Sequence, residues 1–167
     1  DAFLRRAEAA FLKVQDAWNR RELWAARAFL SDGMHERLRL QLGGQAAAGM
    51  RDYVKDAQVR ASRVLGYAAG RHYDSVSVRF QVSAVRARVE EASGKVVDGR
   101  EEEFEEVWTF LRRPTAKTLG RAGAFEGFCP SCGAPVSIVD ATLCAACKTW
   151  INSGEHDWVA VESTVPW

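Results

Sequence analysis

Residues 128–150 read FCPSCGAPVSIVDATLCAACKTW and hold all four cysteines of the chain as two CxxC pairs, Cys129/Cys132 and Cys144/Cys147. Four thiolates match the tetrahedral preference of Zn²⁺, and a Cys₄ set with no open position is the structural kind of site. Each CxxC lets two sulfurs from one tight turn reach one ion. Gly133 follows the second cysteine of the first pair, where tolerance of positive φ lets backbone N–H groups point at sulfur. Lys148 holds that place in the second pair and fits it less well. The alternatives are two disulfides, or a redox CxxC beside a βαβ pattern. The paired spacing favours metal knuckles, and no βαβ pattern is present. We therefore expect one structural zinc in a ribbon of two short hairpins spanning 125–152. A piece that small gains its stability from the metal. Phe125, Phe128, Trp150 and Ile151 flank it and are expected to pack at its neck.

The ribbon suits nucleic acid poorly. Residues 125–150 hold one lysine, no arginine and two acids, and four thiolates on Zn²⁺ add about −2 of formal charge. Phosphate binding needs the opposite sign. Catalysis finds little support either. His72 and Asp74 would share a strand face, while His35 and His156 join no recognisable set. No nucleophile is paired with a base, and no glycine-rich phosphate loop appears.

The elements that must position the cysteines follow from apolar spacing. Phe3, Ala7, Ala10, Phe11, Val14 and Trp18 fall on one face of a helix over 2–18. A second short helix is expected at 21–30. Ser31 and Asp32 cap a third that ends at Gly43–Gly44, and QAAAGMRDYV reads as a fourth helical piece. Strands follow at 57–69, 74–90 and 101–112. The middle one alternates Val76, Val78, Phe80, Val82 and Ala84 with polar residues, then slips parity, which suggests a β-bulge near 84–85. A loop spans 113–124, and a last strand follows the cysteines at 156–165. Helices first and strands afterwards give an α+β fold with helices on one face of an antiparallel sheet. Its body is 1–124 plus 153–167. Trp18, Trp24, Trp108 and Trp158 are expected in its interior.

The 167 residues carry a net charge of +1, with the excess of arginine in the body. This is a mildly basic surface and not a nucleic-acid arm. No stretch approaches the ~20 apolar residues of a membrane span. The chain opens on Asp1 with no signal-peptide pattern, and so reads as a fragment or processed form.

AFLKVQDAWNRRELWAARAFLSDGMHERLRLQL, then EEVWTFLRR, then DWVAVE resemble, in that order, the Tim-type domain family. Its namesake is the peripheral subunit that tethers the import motor of the mitochondrial inner-membrane translocase. The resemblance implies a cone-shaped fold like that of nuclear transport factor 2. It also implies a non-enzymatic binding or adaptor module, associated with a membrane and with a protein partner. The cysteine insert looks like one in bacterial members. Anionic lipid, in this reading, meets the arginines that flank the first helix: Arg5, Arg6, Arg20 and Arg21. The commoner role for that helix is to cover the sheet. A second reading is a small-molecule-binding or enzymatic cone whose pocket is lined by Phe80, Trp108, Phe110 and Trp158. A third is a ribosome- or nucleic-acid-associated adaptor, which the acidic ribbon disfavours. Attachment is expected through a segment upstream of residue 1. Reduced thiolates favour the cytoplasmic side.

Overall fold

The computed structural model describes residues 2–117, 119–136 and 142–164. Helix α1 spans Ala2–Arg20, a 3₁₀ helix spans Leu23–Phe29, and α2 spans Asp32–Ala47. Strands β1 (Met50–Ala68), β2 (Asp74–Glu90), β3 (Val96–Arg112) and β4 (Val159–Ser163) form one antiparallel sheet in chain order. The cysteine element lies between β3 and β4. The expected fold class is the observed one.

The covered face of the sheet is aromatic because β2 and β3 place alternate residues there. Val78 pairs with Trp108, Val76 with Phe110, and Phe80 with Glu106. Helix α1 lies across this face. Phe3 meets Phe110 and Trp158 at 5.7 and 5.5 Å, and Phe11 meets Phe80 and Trp108 at 5.0 and 5.3 Å. Trp18 ends the helix by donating its indole N–H to the Asp52 carbonyl at 3.1 Å. Since Asp52 pairs with Arg88 and Arg88 with Asp98, α1 runs along β3 in the opposite sense. β4 is tied to the start of α2: Leu30 bridges Ala160, and the Ser31 N–H donates to the Ala160 carbonyl.

Several expectations are corrected. The piece at 21–30 is 3₁₀ and shorter. Helix α2 runs through Gly43 and Gly44, where no side chain is needed for packing. It ends before Gly49, whose φ of +67° few other residues adopt. The expected fourth helical piece at 45–54 is instead the end of α2 and the start of β1, which begins at Met50, seven residues earlier than expected. The bulge belongs to β1 and not to β2. Register advances from Lys55–Val85 to Gln58–Ser83, so β1 carries the extra residue, at Asp56 with φ +54°. β1 shows two more such shifts, and irregularity of this kind blunts an edge strand. Trp24 is 46% exposed, unlike Trp18, Trp108 and Trp158. β3 begins earlier, at Val96, and β4 is shorter. The expected last strand and body reach 165–167, which lie outside the described residues.

Candidate metal centre

The two CxxC pairs form one element twice over, offset by fifteen residues. In the first turn Gly133 N–H donates to Cys129 O and Cys129 N–H to Ala134 O; in the second, Lys148 N–H donates to Cys144 O and Cys144 N–H to Thr149 O, all at 2.8–2.9 Å. Phe128 bridges Pro135, and Leu143 bridges Trp150. Val136 N–H donates to Gly127 O, and Ile151 N–H to Thr142 O. Both turns use positive φ, +80° at Gly133 and +61° at Lys148. The glycine fits without strain, and the lysine costs about 1–2 kcal/mol.

The matched turns bring four sulfurs together. Cys129 Sγ lies 3.7 Å from Cys147 Sγ, and Cys132 Sγ lies 3.7 Å from Cys144 Sγ; all four lie within 4.8 Å of one another. A disulfide would need ~2.05 Å. Sulfurs at 2.3 Å from a tetrahedral zinc stand about 3.8 Å apart, so the donor set fits such an ion. Cys129 and Cys144 are buried and Cys132 and Cys147 exposed, which follows the repeat. Burial pushes the Cys129 thiol up to about 11, while hydrogen bonds from Thr149 bring Cys147 down to about 6. A cation among the sulfurs offsets that burial cost.

Sequence reasoning missed the residues that mount this site. Arg121 donates to the carbonyls of Cys129, Pro130 and Ser131 at 3.0–3.2 Å. A Cβ at position 133 would stand 2.9 Å from its guanidinium, so Gly133 admits the arginine as well as the turn. Arg6 of α1 pairs with Glu126 and with Asp157, each at 2.7 Å, across the two roots of the element. Burial alone would raise the Glu126 carboxyl, but Arg6 and the Gly123 N–H hold it below its usual range. Asn152 donates to Leu30 O and to Asp32. None of these residues has a spacing signal, since each partner is over a hundred positions away or lies in a loop.

Of the expected neck residues, Phe125 and Ile151 are buried at 1%, whereas Phe128 and Trp150 are 37% and 59% exposed. Phe125, Cys129, Cys144 and Ile151 belong to the same buried cluster as Phe11 and Trp108. Among the described residues, the element thus shares the body's core. Phe80, Trp108 and Phe110 are fully buried, with rings packed on Phe3, Phe11 and Phe125, so protein fills the place expected for a pocket; Trp158 is 8% exposed. Among the arginines of α1 and its end, Arg6 is held inward, and Arg21 pairs with Glu91 at 2.5 Å and donates to Met50 O. Arg5 is exposed, and Arg20 is exposed beside Asp16. His72 lies in the bend before β2 rather than on the strand with Asp74.

These features define a helix-on-sheet domain with four cysteines that could hold a metal interposed before its last strand. Residues 1–121 match the Tim44-like domain, and the chain belongs to that family. The match stops short of the cysteines. No curated protein matches the chain. Among solved structures, the intermembrane space region of the chloroplast protein ARC6 is similar at 11% identity and a TM-score of 0.47, covering 96% of this chain and 94% of that one.

Proposed function

We propose that this chain is a non-catalytic adaptor that works at a membrane, with one structural Zn²⁺ held by Cys129, Cys132, Cys144 and Cys147. The observation that carries the zinc reading is the closed set of four sulfurs, which leaves no ligand position for a substrate. Membership of the Tim44-like family supports the adaptor and membrane readings. The apolar face of α1 is spent in the core, so a lipid contact by this domain would be electrostatic, through exposed charges such as Arg5 and Arg20. Otherwise attachment comes from a segment upstream of residue 1. The cytoplasmic side remains the favoured one, since it keeps thiols reduced before metal loading. For a protein partner, the exposed Trp150 and Phe128 on the two hairpins offer an apolar contact.

Two measurements test this. Elemental mass spectrometry should find one zinc per chain; iron, or two disulfides without metal, overturns the zinc reading. Flotation of the zinc-loaded chain with vesicles should show salt-sensitive binding that needs anionic lipid. No binding at low salt removes direct lipid contact by residues 1–167.

A further inference from the structure

β1 is the first strand of the sheet, and its three register shifts blunt its outer edge. β3 differs. It pairs with β2 without a shift from Asp98 to Arg112, and β4 covers only Trp108–Leu111 on its other side. Among the described residues, no strand lies on that side of β3 from Val96 to Glu106. Thr164 shows which groups the free stretch presents. Its N–H donates to Val107 O at 3.0 Å, and the Val107 N–H donates to its hydroxyl oxygen at 3.3 Å. Strand periodicity then turns the N–H and C=O of Glu105, Glu103 and Glu101 to the same open side, and those of Glu106, Phe104 and Glu102 toward β2. The side chains are sorted by the same alternation. Glu106 is completely buried on the covered face, and Phe104 lies under the Arg86 guanidinium at 4.0 Å. Glu101, Glu103 and Glu105 are exposed on the opposite face. Beside them on β2 stand Val85, Ser83 and Gln81, none of them a cation. Arg79 reaches Glu105 at 3.5 Å, but among the described residues no ion pair reaches Glu101 or Glu103.

We propose that the free edge of β3 over Val96–Glu106 is a docking site for an extended segment of a partner protein with lysine or arginine at every second residue. The added strand continues the line of β4 and takes its main-chain hydrogen bonds from the outward groups of Glu101, Glu103 and Glu105. Every second side chain of that strand then stands about 5 Å from one of the three glutamates, where opposite charges attract and like charges repel. β2 offers no cation at Glu101 or Glu103, so the matching charge comes from the open side. The row of acids also selects against other occupants. A second copy paired antiparallel through this edge brings two glutamate rows onto one face. Nucleic acid and anionic lipid carry the wrong sign. The inference deepens the adaptor reading and rests on it, but it requires neither zinc nor a membrane.

The probe is a fluorescent ten-residue peptide alternating lysine with threonine, offered to the intact chain. Anisotropy should show binding that weakens with added salt. The same peptide with a central proline should not bind, and equal binding of the two overturns strand addition. Amide exchange by NMR reads the register. The Glu101, Glu103 and Glu105 N–H groups should exchange fast in the free chain and slow by about tenfold or more in the complex, while Glu102 and Phe104 stay slow in both. Slow exchange at 101, 103 and 105 before peptide is added shows that the chain itself or a second copy covers the edge, and overturns the site. The double variant Glu101→Gln with Glu103→Gln should weaken binding about tenfold. Glu103→Pro removes an outward N–H, which an edge strand tolerates, and should weaken binding beyond Glu103→Gln. Equal effects of those two overturn the main-chain contact, and the two glutamine changes carry the test if the proline variant fails to fold. A chain that holds zinc and floats with vesicles but ignores the peptide loses this site and keeps the adaptor reading.

Discussion

Trp108 and Cys129 are both completely buried, but for different reasons. Around Trp108, α1 and three strands supply apolar surface from residues far apart in the chain. Around Cys129, two short turns supply sulfurs, carbonyls and an arginine clamp, with little apolar surface of their own. The body is held by burial. On the zinc reading proposed above, the element is held by the ion its four cysteines bind, and it borrows core from Phe125 and Ile151. The difference teaches that the domain has two sources of stability joined at one seam, and each can be attacked separately.

The sharpest break is metal removal, worth on the order of 10 kcal/mol in structural zinc sites. A strong chelator, or Cys132→Ser, should leave hydrogen-exchange protection in α1 and β1–β3 but abolish it over 142–152 and weaken it in β4. Uniform collapse would show that the element and the body are one cooperative unit. Next comes Trp108→Ala, expected to cost about 3–5 kcal/mol by denaturant unfolding while zinc content stays at one per folded chain. The seam itself is tested by Arg6→Leu, which leaves the buried Asp157 without its cation. A loss of about 2 kcal/mol is expected, below that of a fully buried pair because Arg6 keeps a fifth of its exposure. Arg121→Gln should lower zinc affinity about tenfold in a chelator competition with little change in body stability. Smallest, Lys148→Gly should stabilise the second turn by about 1 kcal/mol and slow zinc release, since glycine takes the φ of +61° freely.

How much was legible follows the same divide. α1 and β2 are legible because their apolar spacing is regular and one face of each is buried. Their limits, Ala2–Arg20 and Asp74–Glu90, lie close to the expected ones. The early start of β1 was not legible: Met50–Asp56 lies beside α1 and α2 without alternation, and QAAAG reads as helix until the left-handed Gly49 breaks it. The parity slip in β2 was real as a signal, but the extra residue sits opposite, in β1. The four cysteines were legible from spacing alone because two turns suffice to place them. Arg121, Arg6 and Asn152 were not, since loop geometry and long-range pairing bring them in. Glu106 was hidden in the acidic run EEEFEE, where its neighbours are solvated and only the strand register turns it inward.

β4 completes the sheet, yet its residues come last, after the cysteine element. Between Arg112 and Val159 the chain leaves the sheet before it returns beside β3. An ion that ties Cys129 and Cys132 to Cys144 and Cys147 shortens that excursion and removes much of its loop entropy. On a ribosome or in refolding, metal capture would then set the clock for the last strand. The apo chain would spend longer with one edge of β3 open, and the loaded chain would close it quickly.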